Sequence, residues 1–537
     1  MQRLRLYALL FAFLVVGGFI GVFLTRFSEP GPDEMPSGER EGDDRGLAPY
    51  LPDVPRTTGG KVSRSAKLNI PYPSGTIAGE MVLRFGDRAA YSAYMRALRE
   101  AGYGPLGQID ELLLIRVGED ALAALDPLRY GALPDYSFEV ERPRPPEVVS
   151  PEALASLEAF GASARSIVGG EVEGGGDGVL VGILDSGIEA HPQFDDVYIV
   201  HIDLVGGGVD GPGASHGTSV ASIISGSEGI APNAELFVVR VLDDEGIGNS
   251  FHVAEGIVQA VDLGVQVINM SLGLYHNSQV VRDAVRYAND KGVLMVAAAG
   301  NDTFARLPYP AAYPEVLSVT AIDAGERQAL FPNQSERIDF AVPGVGILTA
   351  KDDSGTELFT GTSAAAPFVT GTVAALLSSD PELDVAGVTN LLKQYRNEAG
   401  APGTDPIYGG GILDWNRLRE RKTAGIVDVA LAEIYLSEEA RPGTTMPVTL
   451  IVENRGTRWL TGAQMEVLVG DREPVAFTIE AIGPGQNTTR KVYTQVPSKQ
   501  DEKKLEVAAQ VLTGKIVDDV RPDNNQKAVR FRPADSD

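Results

Sequence analysis

The chain has 537 residues, with 46 Lys and Arg against 73 Asp and Glu and a formal net charge of −27. So acidic a balance argues against a nucleic-acid partner, and 43% hydrophobic and 22% charged residues with 61 Gly and 34 Pro exclude a disordered or collagen-like chain. The absence of cysteine removes disulfides, thiolate metal sites and a Cys nucleophile together, which leaves oxygen and nitrogen chemistry and a short list of histidines: His191, His201, His216, His252 and His276.

The first predicted element is apolar. Leu6 to Leu24 is uncharged and close to the roughly 20 residues that span a bilayer as a helix. Arg3 and Arg5 precede it, while Arg26 and then Glu29, Asp33 and Glu34 follow, a bias that places the N-terminus in the cytoplasm. Residues 1–27 are therefore expected to form a transmembrane signal-anchor, with the body of the chain held outside the cytoplasm at the cell membrane, or secreted if the segment is cleaved. Residues 28–77, rich in Pro, Gly and charge, read as a flexible tether.

Folding is expected to resume at residues 78–142. Glu80–Phe85 alternates like a strand, Arg88–Ala101 reads as a helix, Leu112–Val117 as a strand, Asp120–Leu128 as a short helix and Tyr136–Glu141 as a last strand. The run Arg142-Pro-Arg-Pro-Pro146 then ends regular structure. From 150 to 421 apolar runs alternate with amphipathic segments: Val179–Leu184, Glu235–Leu242, Val265–Met270 and Val293–Ala299 read as buried strands, and Phe251–Leu263 and Ser278–Lys291 as helices. That pattern predicts an α/β unit with a parallel sheet covered by helices, whose active site lies at the carboxyl ends of strands.

The residues at those ends carry chemistry. Asp185-Ser-Gly187 follows the first run, Ala297-Ala-Ala-Gly-Asn301 follows another, and His216-Gly-Thr-Ser219 and Gly361-Thr-Ser-Ala-Ala-Ala-Pro367 open helices. An acid, a base, an amide and a hydroxyl are the parts of acyl transfer: the hydroxyl needs a base, the base needs a carboxylate, and the oxyanion needs a donor.

With His191-Pro192, Ala231-Pro-Asn-Ala234, Val267-Ile-Asn-Met-Ser-Leu-Gly273 and Tyr309-Pro-Ala311 in order, the segment resembles a subtilisin-like serine protease, or subtilase. The resemblance implies a serine endopeptidase in which Asp185 orients His216, His216 is the base, Ser363 is acylated, and Asn301 with the Ser363 N–H holds the oxyanion. It also implies a substrate cleft at Ser271, Leu272, Gly273, Ala298, Ala299 and Gly300, where an extended polypeptide adds as a strand. The small residues 298–300 leave room for a side chain, expected to be apolar. Pro367 is expected in the first turn of the helix that carries Ser363.

Residues 78–142 resemble in position the inhibitory prosegment of this family, so the chain's own N-terminal unit is an expected intramolecular inhibitor, self-cleaved between Arg142 and Ser150. Gln193 stands where a calcium-ligating Asp is usual, Ala364 where Met is common, and Ser219 and Phe368 where His is common. No cofactor or metal is expected. Residues 424–533 turn to short alternating strands, the pattern of an all-β sandwich. There, Val452-Glu-Asn-Arg-Gly456, Pro484-Gly485 and Asp523-Asn-Asn525 resemble the CARDB-type adhesion-related sandwich, which implies a protein or wall-polymer ligand, or a spacer. The rival to an enzyme is a catalytically inactive subtilase-fold protein kept for adhesion or scaffolding.

Overall fold

The computed structural model describes residues 73–146, 156–170, 172, 174–352, 354–436, 443–496, 505–513 and 518–531. The first folded unit is a four-stranded antiparallel sheet in the order Gly107–Ile109, Leu114–Gly118, Glu80–Arg84, Leu133–Asp135. Alternation along its strands gives it two apolar faces. Met81, Leu83, Ile115 and Val117 pack on the helix Arg88–Glu100. That helix is capped by Asp87, which accepts from the Ala90 N–H at 2.8 Å, and buries Tyr91, Tyr94, Met95 and Leu98 at helical spacing. On the other face Val82, Ile109 and Leu114 join Phe138 and Val140 in one core with Phe251, Ile257 and Val281 of the following unit.

Two expectations for this unit shift. Asp120–Leu128 is not one helix: a helix over Glu119–Ala124 is followed by a separate 3-10 turn starting at Pro127, whose ring cannot continue the ladder. The final strand is only Glu139–Glu141, and it leaves its own sheet to pair antiparallel with Ile247–Asn249. Leu133–Asp135 takes the vacated edge beside Glu80–Arg84.

The second unit is a sheet of nine strands among the described residues, in the order Arg396–Asn397, Ile412–Leu413, Phe340–Pro343, Val316–Ile322, Leu294–Ala298, Val267–Met270, Leu180–Asp185, Glu235–Arg240, Ile199–Asp203. All its neighbours run parallel except the terminal pair Arg396–Asn397 and Ile412–Leu413. Successive residues face opposite layers: Val181 and Val267 pack with the helices Ser215–Ile224 and Thr362–Ser379, while Leu184 and Ile268 pack with Ser250–Leu263 and Gln279–Asp290. Burial on both faces explains why these strands read as continuous apolar runs.

The third unit packs two antiparallel sheets around one core. One holds Val429–Leu436, Thr445–Asn454 and Asn487–Gln495, the other Val475–Thr478, Gln464–Val469, Leu505–Leu512 and Gln526–Phe531.

The membrane placement expected from residues Leu6–Leu24 is corrected. That segment lies outside the described residues, and no helix among them is long and apolar enough to cross a membrane. The longest, Thr362–Ser379, has its apolar surface buried within the core of the second unit from Thr362 to Leu376.

Candidate active site

Asp185 is the last residue of the strand Leu180–Asp185 and fully buried. His216 is the second residue of the helix Ser215–Ile224. Close approach of that helix to the strand requires Gly217, since a Cβ there would lie 2.0 Å from the Gly187 carbonyl oxygen. The outcome is a 2.8 Å contact between His216 Nδ1 and Asp185 Oδ1. A carboxylate only accepts, so Nδ1 carries the proton and Nε2 is left as the acceptor. Asp185 Oδ1 also accepts from the Ser186 N–H at 2.8 Å, and the Phe359 ring stands edge-on to the imidazole at 5.4 Å.

Ser363 is the second residue of the helix Thr362–Ser379, and its hydroxyl is buried without a hydrogen-bond partner among the described residues. The His216–Ser363 hydrogen bond is therefore not formed here. Pro367 lies inside the helix, past the first turn expected from sequence. Its missing N–H orphans the Ser363 carbonyl, which instead accepts from Ser271 Oγ at 3.2 Å.

Asn301 follows the strand Leu294–Ala298 by three residues. Its Oδ1 accepts from the Thr362 N–H at 3.0 Å and Thr362 Oγ1 at 2.8 Å, so its amide nitrogen points into the cleft. There it donates to the main-chain carbonyl of Arg144 at 2.8 Å.

Arg144 belongs to the tail of the N-terminal unit, which enters the cleft as an added strand. Glu141 N–H donates to the Gly273 carbonyl at 3.0 Å, Gly273 N–H donates back at 2.8 Å, and Arg142 N–H donates to the Gly246 carbonyl at 3.0 Å. Arg142 to Pro146, His216, Asn301 and Ser363 line one cavity of about 220 Å³.

A carboxylate, an imidazole, a buried hydroxyl and a fixed amide around a peptide carbonyl form the constellation of acyl transfer. The subtilase family model matches residues 176–411 and the CARDB model residues 427–529. Subtilisin Savinase of Lederbergia lenta is 34% identical over 252 residues, 44% of this chain and 90% of that protein. The chain belongs to the subtilase family. A thermophilic serine proteinase of Bacillus sp. (strain AK1) is 29% identical over 382 residues, 68% of this chain and 94% of that one. The solved prenylagaramide maturation protease PagA is 31% identical and covered over 92% of its length, against 45% of this chain, with a TM-score of 0.41. The chain is thus a serine endopeptidase of the subtilisin type that acts on polypeptides.

Around the cleft of this subtilase, the residues singled out from sequence divide into two groups. Gly273 and Gly300 line a cavity of about 230 Å³ beside the tail. Ser271, Leu272, Ala298 and Ala299 are buried: Leu272 and Ala299 belong to one core layer, Ala298 to the other, and Ser271 holds the Ser363 carbonyl. The cavity lining also includes Tyr275, Asp302 and Pro308, which no sequence motif marked. Asp302 directly follows Asn301, and that adjacency was the one available signal.

Elsewhere, Gln193 Nε2 donates to the Ser222 and Ser225 carbonyls at 2.6 and 3.0 Å, so its amide closes the end of the His216 helix. Ser219 Oγ donates to Glu357 Oε1 at 2.9 Å, and Phe368 is core beside Trp415. Of the other histidines, His276 stacks on Phe138 at 4.9 Å and His191 Nδ1 accepts from the Gln193 N–H.

Proposed function

We propose that Ser363 is the nucleophile of this endopeptidase, with His216 as base and Asp185 as its orienting carboxylate. Ser363 Oγ adds to a peptide carbonyl carbon as its proton passes to His216 Nε2. The oxyanion is held by Asn301 Nδ2 and the Ser363 N–H. Collapse breaks the C–N bond, His216 protonates the departing amine, and water attacks the acyl-enzyme by the same steps reversed. The observation that carries this reading is the Asn301 amide donating to a peptide carbonyl in the cavity that also holds His216 and Ser363.

The same contact supports residues 78–142 as an intramolecular inhibitor of the peptidase at 150–421. The N-terminal sheet shares a core with the peptidase helices, Arg84 pairs with Asp283 at 2.7 Å, and the tail occupies the cleft. We take residues 424–533 as a sandwich fastened to the peptidase; a protein or wall-polymer ligand would bind its outer surface.

The test is labelling of the full chain by a fluorophosphonate, with the adduct located by mass. Adduct on Ser363, faster when Glu141→Pro removes a tail hydrogen bond and lost in His216→Ala, is expected. No adduct even after tail release would overturn the assignment and favour a scaffold that keeps the fold without the chemistry.

A further inference from the structure

A protease that presents a carbonyl to an oxyanion donor selects its bond by what it does with the side chain on that same residue. Here that residue is Arg144. The two walls beside it carry Gly273 and Gly300. A Cβ on Gly273 would lie 2.8 Å from Pro308 Cβ, while one on Gly300 would meet Asn333 Nδ2 at 2.4 Å before Pro308 Cδ at 3.4 Å. Pro308 therefore closes on the Gly273 wall, and with Gly300 the two line the cavity of about 230 Å³ that Arg144 also lines. Of the small run Ala298–Gly300, Ala298 and Ala299 are buried and only Gly300 lines that cavity.

At the rim the chemistry changes sign. Asp302 is 13% exposed, and its carboxylate accepts from the Tyr275 hydroxyl at 2.5 Å. Burial, then the hydrogen bond to Asp302, pushes the Tyr275 phenol well above its ordinary range, so it stays a donor. The Asp302 N–H is held by Asn333 Oδ1 at 3.1 Å. The carboxylate is thus fixed, and Arg144 Nε lies 3.5 Å from its Oδ1. The Arg144 side chain stays 65% exposed, the posture of a long stem that keeps its charged head at the cavity's edge. Arg306 does not compete for that place: its guanidinium lies over the rings of Tyr275 and Phe304.

We infer that Asp302 makes this subtilase selective for a basic side chain, arginine or lysine, on the acyl side of the bond it cleaves. The inference rests on the reading of Ser363 and Asn301 as the reacting groups. It also accounts for the tail as a substrate-like inhibitor. The bond after Arg144 runs to Pro145, whose nitrogen bears no hydrogen and whose ring carbon crowds the approach of the imidazole, so the tail is bound as a substrate is bound yet cut slowly.

The experiment uses the full chain with Pro145→Ala as parent, which makes the 144–145 bond an ordinary peptide. Self-cleavage after residue 144 is followed by intact mass, and fluorophosphonate labelling of Ser363 is followed in parallel. Cleavage is expected in the parent and in its Arg144→Lys derivative. It is expected to slow about tenfold, the effect of one charge-assisted contact, in Arg144→Leu and in Asp302→Asn. The two changes together should slow it no further than one. Equal rates in the parent and in its Arg144→Leu derivative, or slowing by Asp302→Asn that persists when Arg144→Leu is already present, overturn the inference alone. If the parent is labelled but stays whole, tail release replaces cleavage as the readout. Arg144→Leu and Asp302→Asn must then each speed labelling, and unchanged labelling overturns the inference. Neither cleavage nor labelling in the parent overturns the enzyme reading itself, and this inference with it.

Discussion

Ser271 Oγ donates to the main-chain carbonyl of Ser363 at 3.2 Å, and it is needed there because Pro367, four residues further along the helix, has no N–H to give. Ser271 is itself held: Asn269 Nδ2 donates to its oxygen at 3.2 Å, and Thr370 Oγ1 donates to Asn269 Oδ1 at 2.9 Å. The backbone of the proposed nucleophile is therefore tied to a buried side-chain chain that crosses from strand to helix. Ser271→Ala leaves that carbonyl unsatisfied. A loss of about 1–3 kcal/mol in stability is expected, with a fall in kcat larger than any change in KM, measured by thermal melts and by kinetics on one peptide. An unchanged kcat would mean that Pro367 alone sets the position of Ser363.

Both Thr362 hydrogen bonds end on the Asn301 side-chain oxygen, so truncation to Ala removes the oxyanion donor and these two anchors together. Expected is a drop of about 10²–10³ in kcat with little change in KM, the size found when one oxyanion donor is deleted. A drop confined to KM would assign Asn301 to ground-state binding instead.

The limits of the sequence are visible in these two residues. Asn301, Asp185, His216 and Ser363 are legible because each stands at the end of an apolar run or the start of a helix, where a buried parallel sheet must place its site. The strands themselves were readable for the same reason, to within a residue or two at Leu180–Asp185 and Val267–Met270. Periodicity does not reveal which partner a strand chooses. Glu139–Glu141 alternates like any edge strand, yet its partner is Ile247–Asn249, over a hundred residues away. Nor does it reveal the shape of the specificity site, because Pro308 and Asp302 meet Gly273 and Gly300 only through loops. Small residues there read as an apolar slot until the carboxylate that shares its lining, Asp302, is placed.

The join between peptidase and sandwich turns on a buried ion pair. Arg417 Nη1 lies 2.6 Å from Glu453 Oε1, with the side chains 2% and 4% exposed. Arg417 also donates to the Arg396 carbonyl and to Asn397 Oδ1, and Arg455 holds the second Glu453 oxygen at 3.1 Å. Arg417→Met strips one partner from a desolvated carboxylate. A loss of about 3 kcal/mol is expected, the lower end for breaking a buried pair because Arg455 remains. Differential scanning calorimetry checks it: the sandwich transition should separate from the peptidase transition in the variant. A single unshifted transition would show that other contacts carry the joint, such as Arg521 with Glu420 at 2.6 Å.

Acid should loosen the chain through His252. It lies on the helix Ser250–Leu263, against which the N-terminal unit packs, with the Arg116 guanidinium 5.2 Å from the neighbouring Phe251 ring. Burial first, and then the charge of Arg116, lowers the His252 pKa to about 4. Asn249 Nδ2 at 3.0 Å from His252 Nδ1 suits a neutral ring. In the unfolded chain the same imidazole titrates near 6.5. The folded state therefore binds fewer protons than the unfolded state between those values. The stabilisation is complete above pH 6.5 and is lost as pH falls toward 4. Glu141 and Glu255 work the other way, since burial raises their carboxyls and favours the fold at low pH. From pH 7 to about 5.5 His252 acts in the same direction as His201, whose pKa burial also lowers. Melting temperature should fall over that range, by an amount equivalent to on the order of 1–3 kcal/mol across the full window. His252→Gln should flatten the slope there while leaving the rise or fall below pH 5 to the carboxylates. A variant with the parent's slope would place the acid sensitivity on another group.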